Sequence, residues 1–212
     1  MARENAVRVD ADSEGAHIAA GAIAAGGLVI YPTDTTYAIG ANAVDQIAVQ
    51  ALRQLKGRSS ARAMSIMVSE LGEIACYAIV GEREMELASA LLPGPVTLLF
   101  NPRQGGPTLA CSDTTVGIRI PDARFCRQFA GLADVPITAT SANLTGTNES
   151  YSLDQAIKNL GPKVSDAQLF VDGGTLPLLQ PSTVIDLTGA APRVVREGAF
   201  TSSELERLIA RR

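Results

Sequence analysis

Five short segments of this chain are crowded with side chains that can hydrogen-bond, and apolar runs separate them. They read Y-P-T-D-T-T-Y (31–37), L-K-G-R-S-S (55–60), G-I-R-I-P (117–121), A-T-S-A-N-L-T-G (139–146) and P-S-T-V-I-D (181–186). Hydroxyls joined by Lys and Arg suit a site that grips anionic oxygens and orients reactants. No segment pairs a nucleophile with a base, and none has metal-ligand spacing. The pattern therefore points away from covalent catalysis.

Each segment has a second reading when taken alone. Thr33, Asp34, Thr35 and Thr36 can contact a small polar ligand, or they can satisfy the backbone of a tight turn. Lys56-Gly57-Arg58 can capture phosphate or carboxylate, or it can complement the dipole of a preceding helix end. It is not a P-loop, because G-x-x-x-x-G-K-[ST] is missing. Thr140, Ser141 and Asn143 follow a strand and suit a ligand at a sheet's carboxyl edge, or they form a plain turn. Ser141 lacks the G-x-S-x-G setting of a nucleophile, and the one histidine, His17, lies in an Ala-rich helix. Arg119, inside the apolar run 116–120, needs a partner if buried: a ligand carboxylate or a structural Asp. Arg196 admits the same two readings. Arg53, Lys56, Arg58 and Arg62 can line a local basic cleft.

The elements that must carry these loops follow from periodicity and breakers. Helices are expected at 17–25, 44–55, 82–92, from an Asp122 cap to 129, and at 153–160. Thr201-x-x-Glu204 predicts a capping box for a final helix. Short strands are expected at 28–30, 65–68, 96–100, 115–120, 136–139, 169–172, 183–187 and 193–195. Helices and strands mix without strict alternation. The fold class is therefore α/β: one domain with a twisted mixed sheet and flanking helices. Residues 1–14 are expected as a flexible N-terminus, 15–200 as the domain and 201–212 as a C-terminal helix.

Composition sets outer bounds. The chain has 212 residues, 46% apolar and 19% charged, with a net charge of −4. A mildly acidic surface argues against broad nucleic-acid binding. Cys76, Cys111 and Cys126 form no C-x-x-C and are expected as reduced, buried thiols. The N-terminal residues lack the apolar core of a secretory signal, and no apolar stretch is long enough to span a bilayer.

Taken together and in order, the segments resemble the threonylcarbamoyl-adenylate synthase family, also called YrdC-like. The order is Y-P-T-D-T-T-Y, L-K-G-R, L-L-P-G-P-V-T-L, V-G-I-R-I-P, T-S-A-N-L-T-G, V-D-G-G, S-T-V-I-D and V-V-R-E-G. The resemblance runs from about residue 17 to 200. It implies a twisted α/β sheet around a concave, positively lined cleft, in the family's short single-domain form. It implies an enzyme that condenses L-threonine, bicarbonate or CO2, and ATP to threonylcarbamoyl-AMP and pyrophosphate. The product serves threonylcarbamoyladenosine modification of tRNA, through downstream tRNA threonylcarbamoyl-transferase proteins, in the cytoplasm and with no membrane partner.

Carried over by position, Lys56 and Arg58 are the catalytic cations on the ATP phosphates. Ser141, Asn143 and Arg196 complete the ATP site. Thr33, Thr36, Arg119 and Ser182 are expected around threonine and the carbamate, with Arg119 near the carboxylate. Mg2+ is expected to travel with ATP, without a protein metal site or a tightly bound cofactor. Lys56→Ala is expected to abolish most pyrophosphate release without unfolding the chain. Three positions depart from the family pattern. Ala38 and Pro181 stand where glycine is usual, and Arg62 stands where some relatives have lysine. Two other activities fit the same loops: an RNA-binding module using the cleft, and a carbamoyl-adenylate enzyme with another acceptor.

Overall fold

Alternate residues of the run 28–31 go to opposite sides of a sheet. Leu28 and Ile30 join one buried cluster, and Val29 and Tyr31 join another. A strand covered on both faces needs an unbroken apolar run, which this segment supplies. The computed structural model describes residues 7–57, 63–104, 110–112 and 114–210. Among these residues, eleven strands form one sheet. They are β1 (Val7–Asp10), β2 (Val29–Pro32), β3 (Tyr37–Gly40), β4 (Ser65–Met67), β5 (Ala78–Ile79), β6 (Val96–Pro102), β7 (Val116–Arg119), β8 (Ile137–Ser141), β9 (Leu169–Asp172), β10 (Thr183–Asp186) and β11 (Arg193–Arg196). Their order across the sheet is β1-β9-β2-β3-β8-β4-β7-β6-β10-β11, with β5 against β6. Four neighbouring pairs are parallel, β1/β9, β2/β9, β4/β7 and β6/β10, and the rest are antiparallel. The mixed α/β sheet expected from the sequence is the one found.

The helices are α1 (Ser13–Ala24), α2 (Gln46–Lys56), α3 (Ile74–Tyr77), α4 (Glu82–Leu91), α5 (Arg124–Ala133), α6 (Leu153–Leu160) and α7 (Ser202–Ala210). Ala16, Ala19 and Ile23 of α1 pack with Phe125 and Phe129 of α5 in one cluster. Leu52 of α2, Leu87 of α4, Ala156 of α6 and Leu205 of α7 build the other. The sheet is thus sandwiched between helices.

Cap chemistry fixes where α2 stops. Asp45 accepts from the Ile47 and Ala48 amides at 2.8 and 3.2 Å. Gly57 then closes the helix at φ 59°, and its amide donates to the Arg53 and Gln54 carbonyls. That left-handed turn costs glycine little, so Lys56 is held as the last helical residue. The capping box read at 201–204 is present: the Thr201 amide donates to Glu204 at 2.6 Å and the Glu204 amide to Thr201 Oγ1 at 3.3 Å.

Three expectations change. Residues 7–10, placed in a flexible N-terminus, are β1 and pair with β9. α1 begins at Ser13, capped by Asp12, rather than at 17. Asp122 does not cap α5. Ala123 holds that position, and Asp122 pairs with Arg127 at 2.9 Å.

The cysteines also divide. Cys111 and Cys126 are buried, but Cys76 is exposed. Burial pushes the Cys111 thiol up to about 11 and raises Cys126 further, although Arg119 pulls it back in part. The thiolate is the reactive form. Iodoacetamide at pH 7.5 should therefore label Cys76 in the native protein and the other two only after denaturation. Peptide mass mapping reads this, and native labelling of Cys126 at the Cys76 rate would contradict it. No helix among the described residues is long and apolar enough to cross a membrane.

Candidate functional site

Strand alternation in β6 and β7 creates the site's floor. Val96, Leu98, Phe100, Val116, Ile118 and Ile120 pack into the cluster of α2 and α4. Thr97, Leu99, Gly117 and Arg119 must then face the other way. On that other side, the cluster built by α1 and α5 takes residues from β2, β3, β4, β8 and β9 but none from β6, β7 or β10. The uncovered sheet face is a cavity of about 270 Å3, closed at its margins by the polar loops. A Cβ at Gly117 would sit 3.2 Å from both Leu99 and Ser65, so glycine keeps the floor low.

The hydroxyl loop between β2 and β3 forms one wall, contributing Thr33, Thr35 and Thr36. Its shape is set internally. Thr33 Oγ1 donates to the Thr36 carbonyl at 2.7 Å and accepts from the Thr35 and Thr36 amides at 3.1 and 3.3 Å. Thr33 is thus mainly a turn former. Thr36 reaches the same cavity from the other end of the turn.

Arg119 lies between that loop and the floor, only 8% exposed. It pairs with Asp34 and donates to Thr35 Oγ1 at 2.8 Å. Asp34 in turn accepts from the Asp122 amide at 3.0 Å. The structural partner that the sequence left open is therefore Asp34. The Arg119 Nε still has no partner among the described residues.

Opposite, Ser182 bonds Thr97 hydroxyl to hydroxyl at 3.0 Å, and Arg196 donates to the Ser182 carbonyl and hydroxyl at 2.7 and 3.2 Å. Partial burial lowers the Arg196 pKa, and like charge on Arg119 adds to this, while Glu149 opposes it. The guanidinium stays charged at any ordinary pH.

Gly198 explains part of V-V-R-E-G. A Cβ there would fall 2.0 Å from the Pro181 carbonyl oxygen, which is bonded to the Ala199 amide at 2.9 Å. Gly198→Ala should cost about 1–3 kcal/mol as an overpacked contact and displace Ser182. Chemical denaturation reads the loss, and an unchanged midpoint would contradict the packing.

The A-T-S-A-N-L-T-G segment supplies Thr140 and Ser141 to the cavity. Ser141 pairs with Ala38 across β3 and β8, which ties this wall to the hydroxyl loop in a fixed register. Ala38 and Pro181, two departures from the expected pattern, both line the cavity. Ser141 Oγ donates to Asn143 Oδ1 at 2.6 Å, and Asn143 Nδ2 donates to the Thr147 carbonyl at 2.7 Å. Lys56 is buried behind this loop rather than lining the cavity. Its ammonium donates to the Ser141 carbonyl and, at 3.0 Å, to the Asn143 carbonyl.

The structure thus brings Thr33, Thr36, Arg119, Ser141, Ser182 and Arg196 onto one cavity. Lys56 and Asn143 stand behind it, and Arg58 and Arg62 lie outside the described residues. Among the described residues, two cations and one carboxylate line it. No group of three or more His, Cys, Asp or Glu among the described residues is placed to hold a metal. Sequence reasoning missed Tyr31, Ser65, Thr97 and Glu149 as lining residues. The alternation V-T-L-L-F would have found Thr97, but nothing in the sequence singles out Glu149.

The Sua5/YciO/YrdC family, described as "Telomere recombination", matches residues 21–198. A putative threonylcarbamoyl-AMP synthase of Methanocaldococcus jannaschii is 34% identical over 86% of this chain and 84% of its own. The Pyrococcus abyssi threonylcarbamoyl-AMP synthase is 34% identical over 91% of this chain, which spans 56% of that relative's length. Among solved structures, P. abyssi Sua5 complexed with L-threonine superposes with a TM-score of 0.87 at 32% identity, covering 96% of this chain and 59% of that one. Escherichia coli YciO superposes at 0.79 with 27% identity, covering 93% and 96%. Fold, strand order of the motifs and extent of match agree, and the chain belongs to the Sua5/YciO/YrdC family.

Proposed function

We propose that this protein is an L-threonylcarbamoyladenylate synthase. The observation that carries the reading is the cavity itself. The hydroxyl loop, Arg119, Ser182, Arg196 and Ser141 converge there in a family that includes a structure holding L-threonine. The catalytic unit takes in the whole sheet from β1 to β11, with the last helix packed on its core through Leu205.

Threonine's neutral amine adds to CO2 and loses a proton, giving a carbamate. A carbamate oxygen then bonds to the α-phosphorus of ATP while the bond to the β-phosphate oxygen breaks, and pyrophosphate leaves with that electron pair. Orienting the bound reactants can supply about 7–11 kcal/mol of the barrier in favourable cases. Arg119 and Ser182 hold the amino acid, with Arg119 on its carboxylate. Arg196 and Ser141 hold the nucleotide, and Arg58 meets its phosphates. Lys56 fixes the Ser141–Asn143 loop from behind and places a buried positive charge there. Mg2+ arrives on the nucleotide's phosphates. The product passes to a tRNA threonylcarbamoyl-transferase in the cytoplasm.

The test is pyrophosphate release from ATP with bicarbonate, comparing L-threonine, L-serine and no amino acid. Threonine-dependent release supports the reading. A second reading has its own observation. YciO, whose name states no activity, superposes over 93% of this chain and 96% of its own, so a relative of unstated activity shares the whole fold. Release without any amino acid would favour that reading, a carbamoyl-adenylate enzyme with another acceptor. ATP binding with no release, together with salt-sensitive RNA binding, would favour an RNA-binding module.

A further inference from the structure

Three buried polar side-chain atoms on the cavity wall have no hydrogen-bond partner among the described residues: Tyr31 Oη, Arg119 Nε and Glu149 Oε2. Unpaired buried polar atoms are rare and costly, and a carboxylate oxygen is the costliest of these. Glu149 is the one carboxylate among the described lining residues. It interacts electrostatically with Arg196 yet makes no hydrogen bond to it.

The backbone fixes where Glu149 stands. Its neighbour Ser150 accepts from the Tyr37 amide at 2.8 Å, and Ser150 Oγ donates to the Ala142 carbonyl at 2.9 Å. Position 149 is thereby held beside the end of the hydroxyl loop, at Thr36 and Tyr37. That places an unpaired acceptor carboxylate on the same cavity as an unpaired guanidinium donor, Arg119 Nε. An acceptor and a donor of opposite charge are what an amino acid zwitterion requires. We infer that Glu149 is a specificity residue that receives the α-ammonium of the amino acid as it binds, before that group loses its proton and adds to CO2, while Arg119 receives its carboxylate.

The inference rests on the synthase reading, and the sign of one substitution separates it from a purely electrostatic role. If Glu149 served only to offset Arg119 and Arg196, removing its charge would tighten both anionic partners, the carboxylate and the nucleotide. If it holds the ammonium, removing the charge must weaken threonine alone. Glu149→Gln keeps the shape and, with no hydrogen bond to lose, should fold as the wild type does. A hydrogen bond to a charged group corresponds to about a tenfold change or more in binding, so the KM for L-threonine should rise by ~10-fold with the ATP KM unchanged.

The steady-state assay is run on the wild type and on Glu149→Gln and Glu149→Ala. The 2-hydroxy acid analogue of threonine, which lacks the ammonium, serves as competitive inhibitor. Support is a higher threonine KM in both variants, together with loss of the wild type's preference for threonine over the analogue. A raised ATP KM alone would overturn the inference and assign Glu149 to the nucleotide's hydroxyls or amine. Tighter or unchanged threonine would also overturn it. A wild type with no threonine-dependent release would instead overturn the synthase reading itself.

Discussion

Arg119→Met is expected to lose threonine-dependent pyrophosphate release and a large part of the fold's stability together. The Arg119 and Asp34 side chains are 10% and 9% exposed and pair directly. Removing one member of a buried pair strands the other, at a cost of about 3–5 kcal/mol. Asp34 keeps its bond from the Asp122 amide, which places the loss at the lower end of that range. The hydroxyl loop loses a second tie, because Thr35 Oγ1 accepts from the same guanidinium. Arg119→Lys should not restore function, since one ammonium cannot meet Asp34, Thr35 and a carboxylate in Arg's planar fork. Urea unfolding gives the stability, and threonine titration at saturating ATP gives the binding. Near-normal stability in Arg119→Met would show that the Asp34 pair is unimportant to the fold. Near-normal threonine affinity would remove Arg119 from the substrate site.

Lys56→Ala carries the other large effect. Lys56 is 2% exposed, and its ammonium satisfies the Ser141 and Asn143 carbonyls. The Lys56 carbonyl is tied to the same loop, accepting from the Thr145 amide at 3.2 Å and hydroxyl at 3.1 Å. Truncation leaves the Asn143 carbonyl without its donor, at about 1–3 kcal/mol, while the Ser141 carbonyl keeps the Asn143 amide at 3.0 Å. The sequence suggests a variant that loses activity without loss of stability. The structure predicts loss of both, with turnover down at least ~100-fold, on the scale of removing one preorganised electrostatic group. Assays at low temperature, where the variant remains folded, separate the two effects. Recovery of wild-type turnover there would make Lys56 purely structural, and an unchanged unfolding midpoint would contradict its anchoring of the loop.

These two residues also mark where the sequence stops being readable. Helix and strand spacing was legible because buried faces impose a period. Residues 153–160 are helical as expected, and V-T-L-L-F and V-G-I-R-I alternate between core and cavity. β3 went unread because Tyr37–Gly40 is short, buried on both sides and preceded by a turn sequence. β1 went unread because V-R-V-D alternates over only four residues, too short a run to stand out beside the polar segment around it.

The site's membership was legible as segments rather than as atoms. Thr33 and Thr36 are the same residue type three positions apart, yet one hydroxyl closes the turn by bonding to the other's carbonyl. Lys56 belongs to the right motif but turns inward, a choice made by carbonyls 85 and 87 positions away in the chain. Glu149 belongs to no motif at all. Only the pairing of Ser150 with Tyr37 brings it to the cavity.

The parallel pairing of Thr183 with Val96 sets the order in which the cavity can be completed. During synthesis, the floor strands β6 and β7 emerge long before β10 and β11 bring Ser182 and Arg196. Until then, β6 presents a bare edge where β10 will dock, the kind of edge that invites wrong pairing. No intermediate lacking those last strands can hold a ligand that spans both walls. Substrate therefore cannot template early folding. It can only hold the finished fold in place, and the chain must protect its own β6 edge until its final third has been made.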